Sequence, residues 1–301
     1  VVGPEGKCYL AGLDIEWPGS EGPLINLGQG AFLEIAESKI SHGGSLLRSE
    51  GGVCRVVNSV LQSRMGEGRR AVLYTAGGTV TIEGSVCRLE AVNGLFLQSR
   101  GTALRIGESR VDLDCRRTGT ALELEGVKGE FTGLALSVKA ADYGTCLAAA
   151  GSDLVMRGGS LRAAARDVAA AALDDTGALF QEVLFSVDAS FVARALDLWD
   201  RFPVVTDCRF EYRGNARRRE IFAGKRRRGD AAEVMFPEAP VIAGNEFGDF
   251  THILGNDYPA ENLQGFNRRF APPERPNRFG PPAQDAGSRA GSRTESRAGM
   301  P

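Results

Sequence analysis

The chain has 301 residues, of which 43% are hydrophobic and 25% are charged, so it contains enough apolar material for a sizeable core and is not typical of a disordered protein. Its formal net charge of −2 argues against nucleic acid as a partner, and no apolar run approaches the ~18 residues of a membrane span. The 39 glycines favour a fold that turns often over a helical one.

Residues 1–23 precede the first clear repeat, and we expect them to form a cap or a remnant of an earlier coil. The chain begins at Val1 without a recognisable export signal, which indicates a processed protein or a piece of a longer one.

A unit of about 24 residues repeats through residues 24–258. Gly119–Gly126 reads GTALELEG and returns as GTCLAAAG at Gly144–Gly151. A fixed period in this range is typical of stacked repeats. Leucines continue the period in both directions, and we call this series the leucine ladder. Its members are Leu24, Leu47, Leu73, Leu97, Leu122, Leu147, Leu173 and Leu196.

Two further apolar series follow the same period and alternate with mixed or charged residues, which is typical of half-buried strands. The first series is Ile35, Val56, Ile82, Ile106, Phe131, Met156, Phe180, Val205 and Ile242. The second is Ile40, Leu61, Cys87, Val111, Leu136, Leu161, Phe185, Phe210 and Phe247.

Three short strands per repeat with glycine-rich corners predict an all-β fold, a single right-handed parallel β-helix of about nine or ten coils. At ~4.8 Å per coil, such a rod is about 45 Å long. The sequence resembles the right-handed parallel β-helix repeat superfamily, which includes pectate-lyase-like proteins. The resemblance implies the fold and leaves the activity open.

The residue before each ladder leucine is also apolar, for example Val72, Phe96 and Cys146. Two interpretations remain open. Either the chain bends there so that both neighbours face the core, or the row forms an exposed apolar stripe that a partner covers.

The residues that directly follow the ladder leucines become acidic toward the C-terminus. The leucine period places two of them, Asp174 and Asp197, one coil apart, so their side chains are expected to lie about 5 Å from each other. That separation suits a shared cation or the carboxylate pair of a retaining glycosidase. Asp174 and Asp197 are therefore the candidate catalytic or metal-binding residues, with Arg48 or Arg213 as a basic partner. A solvated acidic face is the alternative.

The catalytic motifs of carbohydrate-active β-helices are degenerate in this chain. The segment Leu198–Arg201 (LWDR) approaches the Trp-Ile-Asp-His box of pectate lyases but lacks its histidine. The two histidines, His42 and His252, fall near opposite ends of the predicted rod, which disfavours a zinc site or a serine-hydrolase triad. The six cysteines have no CxxC spacing and are expected to be buried thiols.

Basic residues are concentrated near the C-terminal end of the repeats. Such a cluster favours phosphate, sulfate or uronate groups, and a solvated basic loop is the alternative. The candidate ligand-binding residues are Arg217, Arg218, Arg219, Arg226, Arg227 and Arg228.

Residues 259–301 are rich in Pro, Arg, Gly and Ser, and the part from about residue 280 is predicted to be disordered. Phe alternates with Arg around Phe266–Phe270, so this extension is expected either to fold back on the rod or to bind a partner.

These observations favour a non-catalytic secreted or cell-surface β-helix protein with a structural or glycan-binding role, and no cofactor. We expect an extracellular, cell-surface or periplasmic location, and an extended polysaccharide or another anionic ligand as partner. The alternative is a polysaccharide lyase or glycoside hydrolase acting on an acidic polysaccharide, and calcium is a candidate cofactor only under the lyase alternative.

Overall fold

The computed structural model describes residues 1–19, 22–199, 201, 203–225, 242–248, 252–254 and 268–269. These residues form β-strands and no helix, as the repeat predicts. The strands are β1 (Lys7–Ala11), β2 (Asp14–Trp17), β3 (Ile25–Leu27), β4 (Phe32–Ala36), β5 (Lys39–His42), β6 (Leu47–Glu50), β7 (Val53–Val57), β8 (Val60–Ala76), β9 (Thr79–Glu83), β10 (Val86–Arg100), β11 (Ala103–Gly107), β12 (Arg110–Glu125), β13 (Lys128–Thr132), β14 (Ala135–Lys139), β15 (Tyr143–Ala150), β16 (Asp153–Arg157), β17 (Ser160–Asp174), β18 (Gly177–Gln181), β19 (Leu184–Trp199), β20 (Val204–Thr206), β21 (Arg209–Gly214), β22 (Arg218–Lys225), β23 (Ile242–Ala243), β24 (Glu246–Phe247), β25 (His252–Leu254) and β26 (Arg268–Arg269).

The strands stack into two parallel sheets. One sheet has the order β1-β4-β7-β9-β11-β13-β16-β18-β20-β23, and the other holds the remaining strands, including the long strands β8, β10, β12, β17 and β19. The stack has about eight turns of about 25 residues, close to the nine or ten coils of about 24 residues expected. The parallel β-helix is therefore confirmed.

Each coil has three segments, as the coil from residue 103 to residue 125 shows. β11 is the first segment, the N-terminal half of β12 is the second, and its C-terminal half is the third. The register shifts between the second and third segments, for example between Ala91 and Asn93 of β10. A local bulge of this kind bends a strand, so one long strand supplies two faces of the coil.

Each of the two tight turns of a coil contains a residue with positive φ. Gly126 (φ 61°) joins the third segment to the next first segment, and Gly133 (φ 59°) joins the following first segment to its second segment. The left-handed conformation costs L-residues free energy, which explains the recurrent glycine four residues after most ladder leucines.

Like side chains stack on like side chains inside the rod. Ile82 pairs in register with Ile106, and Ile106 pairs with Phe131. The rings of Phe185 and Phe210 are parallel within 5° and 4.8 Å apart between centroids. Both apolar series predicted from the sequence are confirmed by the strand registers.

The predicted stacking of the ladder leucines is confirmed except at two positions. Leu47 pairs with Ile25 and not with Leu24, and Ala171 rather than Leu173 lies between Leu147 and Leu196. A coil has two inward positions two residues apart in its third segment, and leucine occupies either of them. The period alone therefore assigned Leu173 to the wrong stack.

The apolar residues before the ladder leucines face the core, except Ala172, which points outward in register with Ala148. Val72, Phe96 and Cys146 are all buried, as are the leucines that follow them. The corner interpretation is confirmed for these residues, and the exposed-stripe interpretation is wrong.

The N-terminal strands lie directly on the repeats. β1 pairs with β4, and β2 pairs with β5, both in the parallel sense. The proposed boundary between residues 258 and 259, and nearly all of the C-terminal extension, lie outside the described residues.

Candidate functional site

The two predicted acidic residues do not pair across neighbouring coils. Asp174 lies opposite Trp199, and Asp197 lies opposite Ala172. The expected carboxylate pair, one coil apart at the same position, is therefore wrong. The cause is that Ala171, and not Leu173, stacks between Leu147 and Leu196. Asp174 therefore lies two residues further along its strand than the leucine period predicts.

Asp197 belongs to a cluster of buried charges. It is only 7% exposed, and its Oδ2 lies 3.3 Å from Nη1 of Arg194. Nε of Arg194 lies 3.5 Å from Glu220, which also accepts a bond from Nε of Arg218 at 2.7 Å. Buried carboxylates need such counter-charges. The ion pair with Arg194 therefore gives Asp197 a structural role in this cluster.

Arg48 is remote from both aspartates. Arg48 occupies the same outward position in its coil as Ala172, but its coil lies five coils earlier, ~24 Å away along the rod. Its guanidinium pairs with Glu50 at 2.8 Å and lies over the ring of Tyr74 at 5.7 Å from the centroid. Arg48 therefore cannot act with Asp174 or Asp197 in one site, and that combination is wrong. It lines a separate cleft of about 580 Å³ near the N-terminal end.

The basic candidates have different environments. Arg218 is bound to Glu220, and the guanidinium of Arg219 lies 4.6 Å from the centroid of the Tyr212 ring. Arg217 is exposed. Arg226, Arg227 and Arg228 lie outside the described residues.

A depression of about 250 Å³ opens on the outer face of the third segments and includes Asp174. Its floor is formed by outward alanines of β15 and β17, and a partly exposed Trp199 lies at one end. We call it the alanine trough, and it is lined by Glu123, Leu124, Ala148, Ala149, Ala150, Ala172, Leu173, Asp174 and Trp199.

The strand registers explain why this depression forms. Glu123, Ala148, Ala172 and Asp197 follow one another on successive coils, so two methyl-bearing positions separate two larger side chains. Alanine is depleted in strands because it offers little to pack against. A run of outward alanines therefore lowers the surface of the sheet locally.

Two carboxylates face the trough, Glu123 and Asp174. Glu123 accepts a hydrogen bond from Nε2 of Gln98 at 2.9 Å. Trp199 presents an indole ring next to Asp174, one coil away. An aromatic wall with a few polar acceptors is a common arrangement in sites for small polar ligands.

The described residues contain no group of three or more His, Cys, Asp and Glu side chains that would hold a metal ion. The cysteines are also remote from such chemistry, because all six are free and five are buried. Burial raises the pKa of the Cys54, Cys87 and Cys208 thiols to about 12 and that of Cys115 to about 11. These thiols are therefore protonated and inert near neutral pH.

The chain is similar to a solved structure at low sequence identity. No protein-family model matches it, and no curated protein matches it. The cryo-EM structure of the Vag8–C1 inhibitor complex contains a chain with 13% sequence identity and a TM-score of 0.45, over 86% of this chain and 75% of that chain. A likeness of this degree gives no information about ligand or partner. Within the described residues, no helix has the length and apolar character of a membrane span.

Sequence reasoning missed Trp199, Glu123 and the alanine floor. In the sequence, Trp199 stands out only as part of the degenerate lyase motif at Leu198–Arg201. The available signal was the run of alanines at outward positions, Ala148, Ala150 and Ala172, which stands out once the registers are known.

Proposed function

We propose that this protein is a non-catalytic β-helix that binds a glycan in the alanine trough. The observation that carries the proposal is the partly exposed ring of Trp199 beside a carboxylate-bearing depression of about 250 Å³. Aromatic rings stack on the apolar faces of sugars, and carboxylates accept hydrogen bonds from sugar hydroxyl groups. The volume lies just below the ~300 Å³ at which drug-sized ligand sites begin, which fits one or two sugar units.

The geometry of the trough also suits an extended ligand. Its floor crosses several coils on a rigid face of the rod, with outward positions repeated about every 4.8 Å. A polysaccharide that lies along this face places one unit against Trp199 and continues over neighbouring coils.

A binding role accounts for the carboxylates better than a hydrolytic or lyase role. Asp174 and Asp197 are out of register, and Asp197 is buried against Arg194. A glycosidase mechanism requires two carboxyl groups on either side of the scissile bond. The strand register therefore does not supply the carboxylate pair at matching positions, near 5 Å apart, that the retaining-glycosidase hypothesis expects of Asp174 and Asp197.

Calorimetric titration with a panel of neutral, amino-sugar and uronate oligosaccharides tests the proposal. We expect at least one member to bind, and Trp199→Ala to weaken that binding by about tenfold or more, as truncation of a central aromatic contact does. Trp17→Ala is the matched control, because Trp17 is 56% exposed on the first coil, outside the trough. Absence of binding across the panel, or equal effects of the two substitutions, would refute the trough as a glycan site.

The same panel distinguishes binding from turnover. Incubation with and without calcium should yield no new reducing ends and no unsaturated uronates. Turnover that Asp174→Ala abolishes would replace the binding role with a lyase or hydrolase role.

We further propose an extracellular, cell-surface or periplasmic location, where extended glycans are encountered. Cell fractionation of the source organism with an antibody against the chain tests it. Recovery from the cytosolic fraction alone would contradict it.

A further inference from the structure

We propose that one corner of the rod, separate from the alanine trough, binds an extended sulfated polysaccharide. The corner lies at the bend between the second and third segments. Its exposed residues are not contiguous in the sequence and include several arginines. We call it the arginine corner, and it comprises Arg116, Arg117, Asp142, Arg166, Phe191 and Arg217.

Backbone hydrogen bonds place these residues above one another. The N–H of Asp142 donates to the carbonyl oxygen of Arg117 at 2.8 Å, and the N–H of Arg217 donates to that of Phe191 at 3.2 Å. Arg166 is held on the intervening coil through a bond from its N–H to the carbonyl oxygen of Ala141 at 3.0 Å. The corner therefore presents a cationic side chain on alternate coils, ~10 Å apart.

All four arginines are exposed, and two of them form ion pairs with neighbouring aspartates. The side chain of Arg117 is 68% exposed and lies 3.5 Å from Asp142, and that of Arg166 is 61% exposed and lies 3.4 Å from Asp167. Exposed ion pairs of this kind contribute little to stability and exchange readily for another anion. Four arginines against Asp142 and Asp167 leave an excess of positive charge along this corner.

A sulfate-bearing polymer fits this surface better than a single-stranded nucleic acid does. Arg binds tetrahedral oxyanions through two parallel N–H bonds, and an extended chain contacts several coils at once. Single-stranded nucleic acid needs open aromatic faces for base stacking. Phe191 is 47% exposed, but the guanidinium of Arg166 already lies over its ring, 5.5 Å from the centroid.

This corner extends the basic cluster that the sequence indicates at Arg217–Arg219. Arg117 and Arg166 are remote from that cluster in sequence, and only the stacking of coils brings them into one line. The proposal does not depend on the trough, since the two surfaces share no residue.

Titration of the full chain with a heparin oligosaccharide, at several salt concentrations, tests the proposal. We expect binding that weakens as salt rises, because contacts to a polyanion release its counterions. The double variant Arg166→Gln/Arg217→Gln should lose about tenfold or more in affinity. The matched control Arg55→Gln/Arg105→Gln removes the same charge from exposed, ion-paired arginines on the first segments, and should change affinity less than about threefold.

Three results would overturn the proposal. The first is no binding at low salt. The second is an equal loss in the two double variants, which would indicate a general charge effect. The third is tighter binding of a single-stranded oligonucleotide than of the heparin oligosaccharide, which would assign the corner to nucleic acid.

Discussion

The backbone N–H of Ser59 donates a hydrogen bond to Oγ of Ser85, one coil away, at 3.1 Å. The same bond recurs from Ser38 to Ser59 and from Ser85 to Ser109. Each hydroxyl in turn donates to the carbonyl oxygen two residues earlier, as Ser85 does to Glu83 at 2.8 Å. A buried serine at this turn thus satisfies backbone groups that no strand partner reaches.

Removal of one hydroxyl from this series should destabilise the rod. In Ser85→Ala, the buried N–H of Ser59 loses its acceptor, at a cost of about 1–3 kcal/mol. The measurement is the free energy of unfolding in urea. Ser137→Ala is the control, because Ser137 is a partly exposed residue on the outer face of β14. Equal losses in the two variants would show that the hydroxyl is not the cause.

A second prediction concerns the left-handed turn at Gly101. Its φ is +56°, and a Cβ added there would meet nothing within 4 Å, so any cost arises from the backbone alone. We expect Gly101→Ala to lower the free energy of unfolding by about 1–2 kcal/mol. Gly66→Ala is the matched control, because Gly66 is equally open but lies outside the positive-φ region. That control should be neutral or stabilising by up to ~1 kcal/mol, since it restricts the unfolded chain. A loss of the same size in both variants would contradict this account.

The aromatic stack gives a third prediction. Phe185 is fully buried between Phe180, at 5.3 Å, and Phe210, at 4.8 Å between ring centroids. Phe185→Ala should cost about 3–5 kcal/mol, because it leaves a cavity that neighbouring coils cannot fill. The exposed Phe191 provides the comparison, and Phe191→Ala should cost less than ~1 kcal/mol. If both substitutions had similar effects on chemical denaturation, the interior would not be packed as described.

Thiol labelling gives a fourth prediction. With a disulfide reagent at pH 8, the native protein should react rapidly at Cys8, which is partly buried, and slowly at the five buried cysteines. All six should react in denaturant. Rapid labelling of several thiols in the native state would indicate that the coils open readily or that the thiols are not buried.

The same thiols predict a loss of stability in alkali. Burial raises the pKa of the Cys54 thiol from 9.0 to about 12 in the folded chain. Above pH 9 the unfolded chain therefore releases a proton that the folded chain retains, so stability falls as the pH rises toward 12. The slope is at most about 1.4 kcal/mol per pH unit for one thiol. Cys54→Ala should reduce the slope of unfolding free energy between pH 9 and 10.5, and an unchanged slope would exclude this thiol as a contributor.

The repeated pattern of the sequence predicted the fold and most of the core. Inward positions must be apolar on every coil because each stacks on the coil below, so Ile82, Ile106 and Phe131 reveal their stack without a structure. Their period was sufficient because burial constrains residue type at every turn of the helix.

The surface sites required the tertiary structure. Outward positions carry no such constraint. Because Leu173 lies two residues beyond the ladder position, Asp174 is in register with Trp199 and not, as predicted, with Asp197. The arginine corner was hidden for the same reason, because its residues lie at bends where the strand alternation is interrupted. The stacking of most coils follows from the amino-acid sequence alone, since it is set by the burial of apolar side chains. Only the registers of the folded chain decided which outward side chains meet, because solvent-facing positions accept almost any residue.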